Sequence, residues 1–469
     1  MEILDFIETL WILFKWLILS KKMKRTKIAI IGSGPAGLVS AAQLCDIADV
    51  TVFERGPDID ERNNVTEGFG GAGLNSDGKF NLSPLIGNRL TEILPINMVN
   101  RSIQLADAFF MTFGAPEGSV KQSDYPESFR RDCRRNGFSL IHGATRHWGS
   151  DIGQAVVSRI YEKLKSRINI LTNTEARIVT PTKIRYSSAG KSWINQDFDI
   201  IVVAVGRSGA DFMGHLYEDG VFPHSAGATD IGIRYECPNE VFEEFYQWSY
   251  EPKISIRSSF DERVRLFCSC LKDGVVALED YVHLNIACVN GHSYSSESGI
   301  EPSGNANFAV LVTTQFTKPF NDPVTYCNSI CKTANALAGG GVLMQTYPDF
   351  KKGRRSTEKR IKENGVNPSY PNAVAGDLSY AIPYRQMVGI SEFLESLEGV
   401  FPGVKRGIMY FPEVKMYSQE ALIDPEELYY QGIPSVYPVG DCSGWTRSLA
   451  GAAAHALFVA EKIKERINV

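Results

Sequence analysis

Apolar positions recur at two periods along this chain, and the change of period divides it. Lys27 to Ile31 is a short β-branched run that stops at Gly32, and Val50 to Glu54 alternates as a strand does. Between them, Pro35 to Asp46 carries small and apolar residues at helical spacing. The pattern predicts a β–α–β unit. A helical stretch is expected from roughly Asn88 to Thr112. "INILTNTEARIVT" and "FDIIVVAVGR" read as buried strands, the second with the unbroken apolar run of a central parallel strand. From about Ala210 the texture changes. "DIGIRYECP", "KISIRSSF", "RVRLFCSC", "VVALEDY", "HLNIACV" and "FAVLVTTQF" are short alternating segments with turn residues between them, which predicts an antiparallel sheet. Helical spacing returns near Thr325–Leu337 and Gly389–Leu397, "SVYPVGD" reads as one more strand, and Ser448–Ile467 as a terminal helix.

Bulk properties narrow the class. With 43% apolar and 22% charged residues the chain has the balance of a soluble globular protein. Its 49 basic and 54 acidic residues give a net charge of −5, which argues against a dedicated nucleic-acid binder. Nine cysteines occur without a C-x-x-C pair or a metal-ligand spacing, as expected of packed, reduced thiols in a cytoplasmic protein, and no metal is predicted. Cys268 and Cys270 alternate as strand neighbours would. Residues 1–22 form an apolar leader interrupted by Asp5, Glu8 and Lys15 and followed by Lys21, Lys22, Lys24, Arg25 and Lys27. Three readings of it stand: an upstream extension before Met23, an interfacial anchor with a basic flank, or a spanning helix.

The first chemical signal is "GSGPAG" after the first strand. Gly32 permits the tight turn, Gly34 lets the backbone approach a pyrophosphate, and Gly37 lets the helix pack close on the strand. Pro35 and Ala36 open the helix whose N-terminus attracts phosphate. Glu54, with Arg55 beside it, lies 22 residues past Gly32, where a carboxylate accepts from ribose hydroxyls and repels a 2′-phosphate. At the other end of the chain "YPVGDCSG" places Gly440 and Asp441 after a strand, followed by the small-residue helix "RSLAGAAAHALFVAEKI" containing Ala450. This resembles the second flavin motif of glutathione-reductase-like flavoproteins, in which the Asp binds the ribityl or pyrophosphate region of FAD. "VVAVGR", with Gly206, resembles the strand-to-glycine turn that crosses near FAD in the same group.

The resemblance narrows further. "GGAGLNSDGKFN", "RHWGSD", "DIGIR", "VNGHSY", "KKGRRST", "GDLSYAIPYR" and "GDCSGWTRSLAGAAA" together look like a family of FAD-dependent dehydrogenases assigned largely by sequence. The match covers nearly everything after Lys27. Many members carry a Cys-rich stretch before the glycine-rich loop; here that stretch is "DIDERNNVTEG", so no thiol chemistry is transferred. The fold class expected is α/β, a Rossmann-like FAD-binding domain with an inserted, mainly antiparallel β (α+β) substrate domain. The expected division is a leader over 1–23, FAD-binding segments over 24–209 and 410–469, and the inserted domain over 210–409.

A second G-x-G-x-x-G occurs at Gly68, Gly70 and Gly73. It follows a charged stretch that cannot be a central strand, and Asn75 to Gly78 favour turns. It is therefore expected to wall the flavin site rather than to hold a second dinucleotide, with Ser76 and Lys79 near the reactive face. Lys79 is read as a partner for the reduced flavin or a substrate carboxylate, against a solvated turn lysine. Asp77 reads as a turn former. His147, with Asp151 nearby, and His292, with Tyr294, are candidate acids on loops; Tyr384 and Arg385 are a candidate anion anchor. His455 among alanines reads as a packed histidine. The basic runs Arg130–Arg135 and Lys351–Lys362 read as solvated faces, with an anion pocket at Arg354 and Arg355 or an RNA surface as the sharper readings.

The expected function is hydride transfer between a small molecule and FAD, with the second electron partner open. Beside it stand a flavoprotein acting on RNA, motivated by the basic runs and opposed by the net charge, and a membrane-surface reductase of a lipid-like substrate resembling the geranylgeranyl reductases, motivated by the leader of residues 1–22 on its reading as a peripheral membrane contact.

Overall fold

A computed structural model describes residues 25–62, 67–74, 78–117, 120–225, 228–249, 251–281, 284–294, 301–314, 316, 320, 322–416 and 419–467. The leader, Ser76 and Asp77 lie outside them, as does the side chain of Asp151.

Along the chain, the elements that build the site are β1 (Lys27–Ile31), α1 (Pro35–Leu44), β2 (Asp49–Phe53), β3 (Lys79–Asn81), β4 (Ala144–His147), β5 (Asn169–Leu171) and β6 (Ile200–Val203). They continue with β7 (Thr229–Pro238), β8 (Arg263–Cys270), β9 (Val275–Tyr281), β10 (Ile286–His292), β11 (Asn305–Thr314), β12 (Ile408–Met416), β13 (Val436–Pro438) and α2 (Leu449–Ile467). A parallel sheet runs in the order β13-β6-β1-β2-β5. β6 lies between β1 and β13 with every residue buried, which is why its sequence is apolar without alternation.

The turn from β1 into α1 depends on its glycines. Gly32 has φ +100°, and a Cβ there would meet the Ala204 carbonyl oxygen at 2.4 Å. A Cβ on Gly37 would meet the Gly32 oxygen at 2.0 Å, so α1 sits on β1 only because Gly37 has no side chain. The expected strand over "INILTNTEARIVT" breaks in two. Asn173 takes φ 49°, so β5 ends the parallel sheet and Thr174–Thr180 joins a separate antiparallel sheet that packs on one side only. The helix expected from Asn88 forms over Ile96–Met111, because Pro95 is poorly suited to the preceding turn.

A second sheet of eight strands holds, in order, Val374–Ala375, Leu343–Thr346, β12, β7, β11, β8, Ile254–Arg257 and Ser139–Leu140. It is antiparallel except for its first pair. The alternation expected of a half-exposed sheet is absent at its centre: β7, β11 and β12 are buried nearly throughout. Helices Pro323–Leu337 and Tyr384–Glu398 and the hairpin of β9 and β10 pack against it. Cys268 and Cys270 do not alternate as strand neighbours, because Cys268 has φ 54° and the pairing of β8 with β11 slips between Phe267 and Cys270.

Two large apolar cores result, one around the parallel sheet and one around the antiparallel sheet. The chain crosses between them more often than a single break at 209/210 allows. Tyr125, Phe129, Cys133 and Phe138 pack in the second core, where Phe129 meets Phe245 and Phe401 ring to ring. Met213, Leu216 and Tyr217, beyond the expected break, pack in the first.

Candidate functional site

A cavity of about 550 Å³ opens at the C-terminal edge of the parallel sheet. The loop Gly32–Ala36, Glu54 and Arg55, Gly68 and Gly71–Gly73, the hairpin residues Thr174–Ile178, Ala204–Gly209, Asp441, and Ser448, Leu449 and Ala452 of the α2 start all line it. Glu279 and Tyr281 of β9 contribute a wall from the hairpin that packs on the second sheet.

The end of the cavity at the β1–α1 turn is built largely from backbone. Glu54 is buried and accepts from the Ser33 N–H at 3.0 Å, the Ser33 hydroxyl at 2.5 Å and the Gly56 N–H at 2.8 Å, so its carboxylate is fixed at the cavity edge. Gly34 caps α1 without any side-chain hydrogen bond. The first-turn N–H groups therefore have no side-chain cap and face a cavity, the arrangement that favours an anion. A Cβ on Gly34 would have only the Gly71 Cα nearby, at 3.8 Å, so the space above this glycine is open.

The second glycine loop lies directly on the first. Gly70 donates its N–H to the Ser33 carbonyl at 3.1 Å, and a Cβ on Gly71 would meet the Gly34 Cα at 2.6 Å. Gly73 packs on Pro35, whose Cγ a Cβ would meet at 3.1 Å. Arg62 holds this loop: its guanidinium donates to the carbonyls of Gly68 at 2.8 Å, Phe69 at 2.7 Å and Gly71 at 3.1 Å. Burial lowers the Arg62 pKa to about 10, partly offset by Glu54 and Glu67, and the group stays charged near neutrality. Arg55 ties the end of β2 to the turn after β6 through Asp211 at 2.8 Å and the Ser208 carbonyl at 2.9 Å.

At the far end Asp441 accepts from the Thr446 hydroxyl at 2.7 Å and lies 3.4 Å from the Arg207 guanidinium. Burial pushes its carboxyl up, and Arg207 and Thr446 pull it back. Gly440 has φ +74°, and a Cβ there would meet the Ala36 Cβ at 2.8 Å, so this glycine brings the end of β13 against α1. At the start of α2 it is Leu449 and Ala452, with Ser448 just before them, that face the cavity, whereas Ala450, expected to bind cofactor, turns into the core by helical period. Gly37 likewise serves the packing of α1 and is not in the cavity wall. His455 is buried: its Nδ1 accepts the Gly440 N–H at 3.3 Å, and burial lowers its pKa to about 4.

Three of the four expected catalytic residues gather, though outside the cavity wall. Lys79 on β3 pairs across the sheet with His147 on β4. The Lys79 ammonium donates to the Ser269 carbonyl at 2.5 Å, and His147 Nε2 shares a hydrogen bond with the Ser293 hydroxyl at 3.1 Å. His292, next in chain to Ser293, is buried at the end of β10 and stacks near Tyr294 at 6.4 Å. Arg385 is elsewhere. It lies exposed at the start of helix Tyr384–Glu398, held there by two residues far away in sequence: Glu262 pairs with it at 3.0 Å, and Phe260 stacks under it at 4.8 Å and accepts a hydrogen bond through its carbonyl at 3.1 Å. In the basic run Lys351–Lys362, Arg354 pairs with buried Asp349 at 2.5 Å, which also accepts from the Ser356 hydroxyl at 2.7 Å, so at Arg354 the sharper reading of an anion pocket meets a structural carboxylate partner instead.

Arg62, Arg207, Glu279 and Tyr281 were not singled out from the sequence. Arg207 stood inside the "VVAVGR" motif, and the alternation of "VVALEDY" puts Glu279 and Tyr281 on one face; nothing in the sequence marks Arg62.

No family model matches the chain, and no curated protein matches it by sequence. Among solved structures it is similar to 2,6-dihydroxypyridine-3-hydroxylase from Arthrobacter nicotinovorans, at 11% identity and a TM-score of 0.43, over 94% of this chain and 84% of that one. It is similar to glycine oxidase from Geobacillus kaustophilus at 10% identity and a TM-score of 0.40, over 94% and 95%. A geranylgeranyl bacteriochlorophyll reductase-like protein from Thermoplasma acidophilum matches at 9% identity and a TM-score of 0.39, over 94% and 79%. At these values the likeness adds nothing to what the chain's own topology shows. Among the described residues no helix is long and apolar enough to cross a membrane.

Proposed function

We propose that this chain is an FAD-dependent oxidoreductase that exchanges hydride between a small molecule and its flavin. One observation carries the reading: a single cavity joins the β1–α1 glycine turn and Glu54 to Asp441 and the start of α2. That is a site with an acidic end for ribose hydroxyls, uncapped N–H groups for a diphosphate, and a second helix start beyond. The residues present fit FAD. Glu54 would hold the ribose hydroxyls, the backbone of Ser33 to Ala36 the diphosphate, and Asp441 the polyhydroxyl chain. When bound, the flavin supplies a two-electron acceptor or donor. The chain's own part is to orient and to exclude water. Arg62 fixes the glycine loop over the phosphate turn, Arg55 ties the β2 end to the β6 turn, and β9 brings the substrate domain against the cavity.

The test is the absorption spectrum of the purified full-length protein, before and after adding FAD and removing the excess. One equivalent of retained FAD supports the reading; a protein that retains none overturns it. Titration with NAD in parallel separates the two dinucleotides.

A further inference from the structure

We propose that Glu279 and Tyr281 form a hydroxyl-binding site in the cavity wall, taking a neutral alcohol group from the substrate or from the flavin's own ribityl chain. The inference rests on the reading that this cavity takes FAD.

The two residues are two apart on β9 and so share one face. Both line the cavity, and both are buried, at 9% and 7% exposure. The Tyr281 hydroxyl donates to Glu279 Oε1 at 3.1 Å. Among the described residues that is the one hydrogen bond the carboxylate accepts, and its Oε2 is buried without one. An ionised carboxylate has room for about four donors. The nearest cation, the Lys415 ammonium, is 3.9 Å from Oε2, beyond hydrogen-bond reach, and lies closer to Glu413, at 3.4 Å. Glu413 in turn pairs with Arg234 at 2.7 Å, both fully buried.

Burial alone would push the Glu279 carboxyl up, but Lys415, then Arg207, the Tyr281 hydroxyl and His292 hold it below the usual carboxylate range. The site thus keeps an ionised acceptor that is short of donors, and such a group is costly until a donor arrives. Charge decides which donor. Arg234, Glu413, Lys415 and Glu279 sum to zero, and Arg207 faces both Glu279 and Asp441. An ammonium ligand would enter between Lys415 and Arg207 and leave a buried charge in excess; a carboxylate ligand would meet Glu279 itself. A neutral hydroxyl supplies the missing proton without changing the balance. The Tyr281 oxygen, its proton committed to Glu279, remains an acceptor for the same ligand.

The experiment uses the full-length protein with Glu279→Gln and, as a second and milder variant, Tyr281→Phe. FAD affinity is measured by flavin fluorescence on FAD-stripped protein. The concentration of simple alcohols and polyols that perturbs or bleaches the bound-flavin spectrum without oxygen is measured beside matched amines and carboxylates. Removing one charged acceptor is expected to weaken one of the two by roughly tenfold. A loss in FAD affinity assigns the hydroxyl to the ribityl chain; a loss confined to the alcohols assigns it to the substrate. Variants equal to wild type in both measurements, or a spectrum that responds only to amines or carboxylates, overturn the proposal. A wild-type chain that takes no flavin overturns the FAD reading first.

Discussion

Replacing Arg62 with alanine isolates what the second glycine loop does. The guanidinium donates to three consecutive-region carbonyls, of Gly68, Phe69 and Gly71, and so fixes a loop whose backbone lies against Gly34. Hydrogen bonds from a charged group are each worth about 1.5–3 kcal/mol, but the three are not additive, since carbonyls beside an open cavity regain water when the arginine is gone. A net loss of about 2–3 kcal/mol follows. Because the loop covers the β1–α1 turn proposed to hold the diphosphate, most of that loss is expected in cofactor affinity, roughly 30- to 150-fold in Kd. The assay is titration of FAD-stripped protein with FAD, followed by flavin fluorescence, with thermal unfolding of the same samples alongside. Arg62→Lys keeps a cation but not the fork, and is expected to recover only part of the affinity. Wild-type FAD affinity in Arg62→Ala, at an unchanged melting temperature, would refute the clamp.

Two glycines of one motif should fail differently. Gly34→Val meets open space, so the chain should fold with near-normal stability yet retain no FAD; retention of FAD at wild-type affinity would remove Gly34 from the phosphate site. Gly37→Val must displace the Gly32 carbonyl, which a Cβ approaches to 2.0 Å, so denaturant unfolding should show a loss of about 1–3 kcal/mol or more even without cofactor. Among the described residues, Arg234→Met leaves the buried Glu413 only Lys415 as an ion-pair partner, and it should cost about 3–5 kcal/mol in the same assay. Restoring stability by adding Glu413→Gln is expected in part, and a single-variant loss under about 1 kcal/mol counts against the pair. For His455 the sign is fixed by its pKa, lowered from 6.5 to about 4 by burial. Between those values the unfolded chain binds the extra proton, so this contribution is complete above about pH 6.5 and lost as pH falls toward 4, by about 3 kcal/mol. Unfolding of wild type and His455→Gln measured across that window should differ in slope, and equal slopes would exclude the buried neutral imidazole.

What was legible in the sequence is what the backbone alone enforces. β1, the glycine turn, α1 and β2 match the expected β–α–β unit to within two residues, because each signal there is local: an apolar run buried on both sides, a residue that must take positive φ, and a proline at the first helical turn. The antiparallel strands were also legible one by one. Their burial was not, since whether a strand has one wet face depends on helices and a hairpin that pack from far along the chain. Arg385 shows the same limit at a side chain. An arginine after "IPY" has the chemistry of an anion anchor, but Glu262 and Phe260 reach it from a distant strand end and hold it on the surface.

The two glycine loops carry this furthest. Spacing alone made Gly68, Gly70 and Gly73 resemble a second dinucleotide fingerprint, and the charged stretch before them excluded that. The same stretch, to which no thiol chemistry was transferred, contains Arg62, which bonds the loop's carbonyls and holds it onto the first loop. A glycine loop has no side chains with which to hold itself, so its position must come from its carbonyls and N–H groups, and an arginine with five donors is suited to collect them. The second motif thus has meaning only through the first. Gly71 lets the two backbones touch, Gly73 lets the loop close on Pro35, and Arg62 fixes the shape that results.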